Sequence, residues 1–286
     1  MSIISVLVLG IVQGLAELLP VSSTAHVIVA EKLLGLDPSS PPMTLLLVML
    51  HTGTMFAVIV YFWRAWRDTY FQSGAAFKSF AVQVIVATAL TAIVYEVISL
   101  GLGKTVFANT PKAEIEDLFG HLEFIAPALA AVGILILIAG LATRGSGQAR
   151  ADDLTLGQSS IIGAVQGICL PFRGFSRSGA TISTGMLLQV SRRRVEAFSF
   201  ALAVVLTPPV VVREGLRLVK SHGLATTTDL SHVVLMSAFG TLIAFIAGLA
   251  ALKWLSRWLE TDRWYLFGIY CLIAAGAVTW LHTLGY

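Results

Sequence analysis

Apolar residues run through this chain in blocks close to the length a helix needs to cross a bilayer, about 20 residues. Six such blocks occur, at 44–63, 80–101, 123–142, 196–213, 231–253 and 264–283. Each predicts one spanning helix, the fourth kinked at Pro208-Pro209. Two further apolar regions are interrupted. Residues 2–34 are broken by Glu17, Pro20 and Val21-Ser22-Ser23-Thr24, and residues 156–190 by Pro171, Arg173 and the run Gly174 to Gly179. Each reads as two short helices joined by a polar turn. Irregular backbone at membrane depth is tolerated only when it is buried in protein or lines a wet cavity, so both regions are expected to be re-entrant hairpins. The expected fold is therefore all-α and integral to a membrane: six spans plus two hairpins in a single domain over 1–286.

Composition agrees. Of 286 residues, 56% are hydrophobic and 12% charged, against about 25% charged in an ordinary soluble domain. The mean hydropathy is +0.84. No basic cluster with interleaved aromatics appears, so nucleic acid is not expected as a partner. Cys169 and Cys271 both sit in apolar stretches and read as free buried thiols. The first residues lack the basic start and small-residue cleavage site of a signal peptide, so none is expected.

Charge sets an expected orientation. The loops at 64–79, 143–155, 191–195 and 253–263 carry eleven Lys and Arg, while those at 31–43, 102–122 and 213–230 carry six. The positive-inside rule assigns the first set to the cytoplasm and both termini to the outside. The tryptophans Trp63, Trp66, Trp254, Trp258 and Trp264 read as an interfacial belt.

The chain also repeats itself. Val12-Gln13-Gly14 recurs as Val165-Gln166-Gly167, and at the same offset of 153 Ser23 meets Ser176 and Thr24 meets Arg177. The copies are 1–142 (hairpin 2–34 plus three spans) and 156–286 (hairpin 156–190 plus three spans). An odd number of spans per copy forces opposite orientations, and inverted repeats of broken helices put a site near the midplane. The copies differ in chemistry: Glu17 corresponds to Leu170, so one half supplies a carboxylate and the other the Arg177 guanidinium.

Gln13 and Glu17, spaced i,i+4, share a helix face. An ionisable residue in such a setting is a functional-site signal, although a structural ion pair with Arg177 would also account for it. Ser22-Ser23-Thr24 should open a helix whose free amides make an anion site, with His26 in its first turn. In the second hairpin Gly174 allows close approach of a ligand, Arg177 suits bidentate phosphate binding, and Ser176, Ser178 and Thr181 can donate to phosphate oxygens. His51 and Thr52 either line a cavity or simply end a helix. Glu196 beside Arg192–Arg194 reads as an interface pair.

Gln13-Gly14-Leu15-Ala16-Glu17, Pro20 to His26, and Gly174 to Thr181 together resemble the motifs of the undecaprenyl-diphosphate phosphatases, the bacitracin-resistance family, and the resemblance covers essentially the whole chain. It implies hydrolysis of undecaprenyl diphosphate to the monophosphate at an outward-facing site in the bacterial plasma membrane, with membrane lipid around it and help from Mg²⁺ or Ca²⁺. It assigns Glu17, Ser23, His26 and Arg177 as catalytic. Ser22, Thr24, Ser176, Ser178 and Thr181 match its phosphate-pocket positions. Two positions depart from the pattern: Gln13 stands where a carboxylate is also found, and Arg173 where proline is usual, adding a possible second cation near the phosphates.

The mechanism expected is attack by Ser23 with His26 as its base. Glu17 would orient His26, act as acid–base itself, or hold the metal. Direct attack by water is the alternative. A polyprenyl-phosphate transporter or flippase is the rival function, because broken helices and inverted repeats are also transporter features; a membrane scaffold would leave the buried polar set unexplained. The pattern leaves open whether two copies form a homodimer.

Overall fold

The computed structural model describes residues 2–37, 40–105, 122–145, 153–172, 174–220 and 230–284. Every element it contains is a helix: α1 (Ile3–Leu18), α2 (Ser23–Leu33), α3 (Pro41–Tyr70), α4 (Gly74–Thr105), α5 (Leu122–Ala142), α6 (Leu156–Cys169), α7 (Arg177–Leu187), α8 (Arg192–Lys220), α9 (Leu230–Glu260) and α10 (Tyr265–Thr283). Among the described residues six helices are long and apolar enough to cross a membrane: α3, α4, α5, α8, α9 and α10. They are the six blocks expected from the sequence. Several extend beyond the apolar runs, as α3 does through Arg64 and Arg67 to Tyr70. α8 runs through Pro208 and Pro209 as one helix.

The other four helices are short. α2 and α7 have 11 residues each, about 16 Å of helix, against a hydrocarbon core of roughly 30 Å. Local chemistry sets their ends. Leu19 precedes a proline and takes the extended conformation that such residues favour (φ −77, ψ 152), ending α1. A tight turn follows, with the Val21 amide on the Leu19 carbonyl at 2.8 Å. Ser22 then reverses the chain at φ +66, a left-handed conformation uncommon for a non-glycine residue. α6 begins with a capping box: the Thr155 hydroxyl accepts from the Gln158 amide, and the Gln158 side chain accepts from the Thr155 amide. Ser176 caps α7, its hydroxyl accepting from the Gly179 amide at 3.2 Å.

α1 and α3 pack on α9, α4 on α6, α5 on α10 and α3 on α8, while α7 lies against α5, α6 and α8. Small residues set the closest approaches, as is usual between helices in lipid. A Cβ at Gly268 would meet the Gly133 carbonyl at 2.7 Å, so α5 and α10 lie nearly backbone to backbone.

The basic loops gather at one end. Arg192 pairs with Asp262 and donates to the carbonyls of Leu259 and Thr143. Arg193 pairs with Glu260, and Arg194 with Asp153, lying over the Tyr70 ring. Residues of all four loops counted as most basic therefore share one face. Glu196 departs from expectation: it is buried and accepts from Ser256 at 2.6 Å, with Ser256 accepting in turn from Tyr61. The belt also needs correcting. Trp66 and Trp264 are core residues, their indoles donating to the Ala197 carbonyl and the Ser183 hydroxyl, whereas Trp63 and Trp254 are exposed.

Candidate active site

The two polar turns face one another. The Ser178 hydroxyl donates to the Leu19 carbonyl at 3.4 Å, and the Cys271 thiol to the Pro20 carbonyl at 3.3 Å, so α7 and α10 brace the α1–α2 turn. Gly174 is at φ +105, and a Cβ there would stand 2.5 Å from the Ile125 carbonyl; only glycine lets the second turn lie this close to α5. Between the turns is a cavity of ≈ 400 Å³.

Glu17 is its electrostatic centre. Oε1 accepts from Arg177 Nη2 at 3.2 Å. Oε2 accepts from Ser23 Oγ at 2.6 Å and from Gln13 Nε2 at 3.2 Å. His51 Nε2 stands 3.8 Å from Oε2, its ring held by Nδ1 donating to the Leu47 carbonyl. The pair brought together from opposite halves of the chain is thus a real ion pair. Arg177 is only partly used by it: Nη1 is buried and has no hydrogen-bond partner among the described residues. A buried guanidinium nitrogen left so is costly unless an anion completes it.

Ser22, Ser23, Thr24, Gly174, Ser176, Arg177 and Ser178 line this cavity with Glu17. Three expected residues do not. Gln13 is buried and donates to Glu17. Thr181 is fully buried, donating to the Arg177 carbonyl and sharing a hydrogen bond with Ser199 at 2.6 Å. His26 faces α10: Nδ1 bonds back to the Ser22 carbonyl at 2.8 Å, and Nε2 then meets the Tyr270 hydroxyl at 2.7 Å. The hydroxyl of Ser23 is directed at Glu17, and the pairing with His26 expected from sequence is absent. Arg173 lies outside the described residues.

The lining also includes Tyr95 and Arg213, for which the sequence carries no site signal. Tyr95 sits in an apolar run like any membrane aromatic, and Arg213 stands where an apolar run meets a loop. Of His51 and Thr52, which on sequence either line a cavity or end a helix, the cavity includes His51.

Among the described residues, the side chains do not fit a resident divalent cation. No group of three or more His, Cys, Asp or Glu among the described residues could hold one. Glu17, the ligand expected for it, already accepts from Gln13, Ser23 and Arg177, and cationic Arg177 beside it opposes a second cation.

The family model described as bacitracin resistance protein BacA matches residues 6–277. The chain is 54% identical over 283 residues to "Undecaprenyl-diphosphatase 2" of Acinetobacter baylyi, covering 97% of each. It is 31% identical over 291 residues to "Undecaprenyl-diphosphatase" of Desulfosudis oleivorans, covering 96% of each.

Proposed function

This chain belongs to the bacitracin resistance protein BacA family, and from that premise we propose that it is a phosphatase removing the terminal phosphate of undecaprenyl diphosphate. The product is the monophosphate lipid carrier of peptidoglycan synthesis, and its regeneration gives bacitracin resistance. The observation that carries the reading is the 2.6 Å bond from Ser23 Oγ to Glu17 beside an Arg177 with one guanidinium nitrogen unpaired.

Phosphoanhydride hydrolysis depends mainly on positioning and charge stabilisation. The terminal phosphoryl group sits against the Arg177 guanidinium and the first amides of α2, which Ser22 leaves without a side-chain cap. Ser23 Oγ attacks phosphorus as its proton passes to Glu17; the bond to the bridging oxygen breaks and the prenyl monophosphate leaves, taking that proton from Glu17. Water then attacks the phosphoserine, giving its proton to Glu17, and phosphate departs as Ser23 regains a proton. His51, 3.8 Å from Glu17, positions the carboxylate. A carrier would need cations and helix ends but not a serine hydroxyl on a carboxylate.

The short helices are taken as re-entrant hairpins within an inverted repeat. What supports this is contact geometry at the 153-residue offset. A Cβ at Gly10 would meet the Gly240 carbonyl and one at Gly14 the Ala244 carbonyl; at the corresponding Gly163 and Gly167 it would meet those of Ala87 and Thr91. The partners are offset by the same 153 residues. The site faces outward from the plasma membrane, opposite the basic end. Cysteines placed at Lys32 and Arg257 are then labelled from opposite sides of sealed vesicles; labelling from one side overturns this orientation.

The direct test is phosphate release from farnesyl or undecaprenyl diphosphate by detergent-purified protein, beside Glu17→Ala and Arg177→Ala. Release that collapses in both variants supports the reading. No release from folded protein under Mg²⁺ or Ca²⁺ overturns it, and lipid flipping in liposomes becomes the reading to test.

A further inference from the structure

A second cavity, of ≈ 300 Å³, lies between α2, α5 and α10. Its walls are apolar, with Val29 on α2, Leu129 on α5, and Ala274, Ala277 and Leu281 on α10. Its polar groups are His26 and Tyr270, which satisfy one another at 2.7 Å with rings stacked 5.7 Å apart. The groove has a structural cause. α2 is too short to cover α5 and α10 along their length, and alanines on α10 leave space where larger residues would close it.

α2 joins this groove to the phosphate cavity. Ser22 before it and its first residues, Ser23 and Thr24, line the phosphate cavity, and the next, Ala25 and His26, line the groove. Ser23 and His26 are three residues apart, roughly 4.5 Å along the axis. A ligand with its phosphate at Ser23 and a hydrocarbon chain attached has this groove within one helical turn. We propose that the groove between α2, α5 and α10 receives the first isoprenyl units of the lipid substrate, and that the His26–Tyr270 pair marks its headgroup end. The identity of the headgroup rests on the phosphatase reading above. The groove gives the enzyme a means of preferring prenyl diphosphates over short diphosphates, because each buried methylene adds to binding.

The test compares kcat/KM for farnesyl diphosphate with that for isopentenyl diphosphate. Ala274→Phe fills the groove, Ala277→Leu intrudes less, and Ile85→Phe alters an exposed residue on α4 as a control. The ratio of farnesyl to isopentenyl turnover falls about tenfold in Ala274→Phe, the worth of two or so methylenes left unburied. It falls less in Ala277→Leu and holds in Ile85→Phe. An unchanged ratio in both alanine variants, or equal loss on both substrates, overturns the proposal. Wild-type protein that hydrolyses neither substrate counts against the phosphatase reading instead. The groove is then judged by labelling with a diazirine-bearing farnesyl monophosphate. Crosslinks on α10 that Ala274→Phe abolishes support it; crosslinks elsewhere, or displacement by excess phospholipid, overturn it.

Discussion

The hydroxyl of Ser23 donates to Oε2 of Glu17 at 2.6 Å, a bond that joins the start of α2 to the end of α1. In the mechanism proposed above, this bond holds the attacking hydroxyl on its base. Ser23→Ala and Glu17→Gln should each lower kcat by about 10²–10⁴-fold, the usual worth of a positioned proton acceptor. A double variant should cost little more than either single, because the two act as a unit. Rapid-quench trapping with labelled substrate should find a phospho-enzyme in the wild type that Ser23→Ala lacks; trapping that persists in Ser23→Ala removes Ser23 as nucleophile.

The two terminal nitrogens of Arg177 differ in their surroundings, and in the proposed mechanism the guanidinium serves both Glu17 and the substrate. Nη2 holds Oε1, and Nη1 is buried without a partner. Arg177→Lys keeps the charge but cannot serve both directions in a planar fork. Its kcat/KM should fall about 100-fold, the scale of a lost charge-stabilising donor, and Arg177→Ala further. Loss of the pair should also destabilise the fold by about 3 kcal/mol, since it strands a carboxylate. Thermal unfolding of Arg177→Ala against Glu17→Gln/Arg177→Ala separates the effects: the double variant should be the more stable of the two. An equal melting point in both would show that stranding the carboxylate costs nothing.

His51 and His26 divide between the two cavities. His51 lies 3.8 Å from Glu17, whereas His26 is bonded to Tyr270. His51→Ala should lower kcat about tenfold with KM for a short diphosphate little changed, a modest share of what acid–base groups contribute. Tyr270→Phe frees His26 Nε2 and should act mainly on KM for prenyl substrates. Steady-state kinetics on farnesyl diphosphate decides it; a Tyr270→Phe effect confined to kcat would bring His26 back beside the chemistry.

The sequence made much of this legible, for identifiable reasons. Apolar run length revealed the six long helices, because lipid exposure demands it of every turn. The Glu17–Arg177 pair was legible because two ionisable residues in interrupted apolar regions need a counter-charge. The partner of Ser23 was not. Proximity along the chain favoured His26, but its Nδ1 bond to the Ser22 carbonyl turns the ring toward α10. Tyr95 and Arg213 were also hidden, since what brings them to the cavity is packing among α4, α8 and the α6–α7 turn. The burial of Trp66 and Trp264 was equally tertiary: interfacial and core tryptophans look alike until a partner such as the Ala197 carbonyl is known.

Gln13 offers the sharpest test of how a cation reaches this site. Its amide donates to Glu17 at 3.2 Å, adding to the bonds from Ser23 and Arg177. A carboxylate so occupied is a poor ligand, and hard cations require several oxygens. The protein without diphosphate should therefore bind Mn²⁺ weakly, seen by electron paramagnetic resonance as a largely free signal. Gln13→Glu replaces a donor with an acceptor one helical turn from Glu17 and sets two carboxylates on one face. It should tighten Mn²⁺ binding about tenfold or more, as added ligand charge does in oxygen sites, with no substrate present. Tight binding by the wild type alone, lost in Glu17→Gln, would mean that the cation is held by the protein and displaces the hydrogen bonds now made to Glu17.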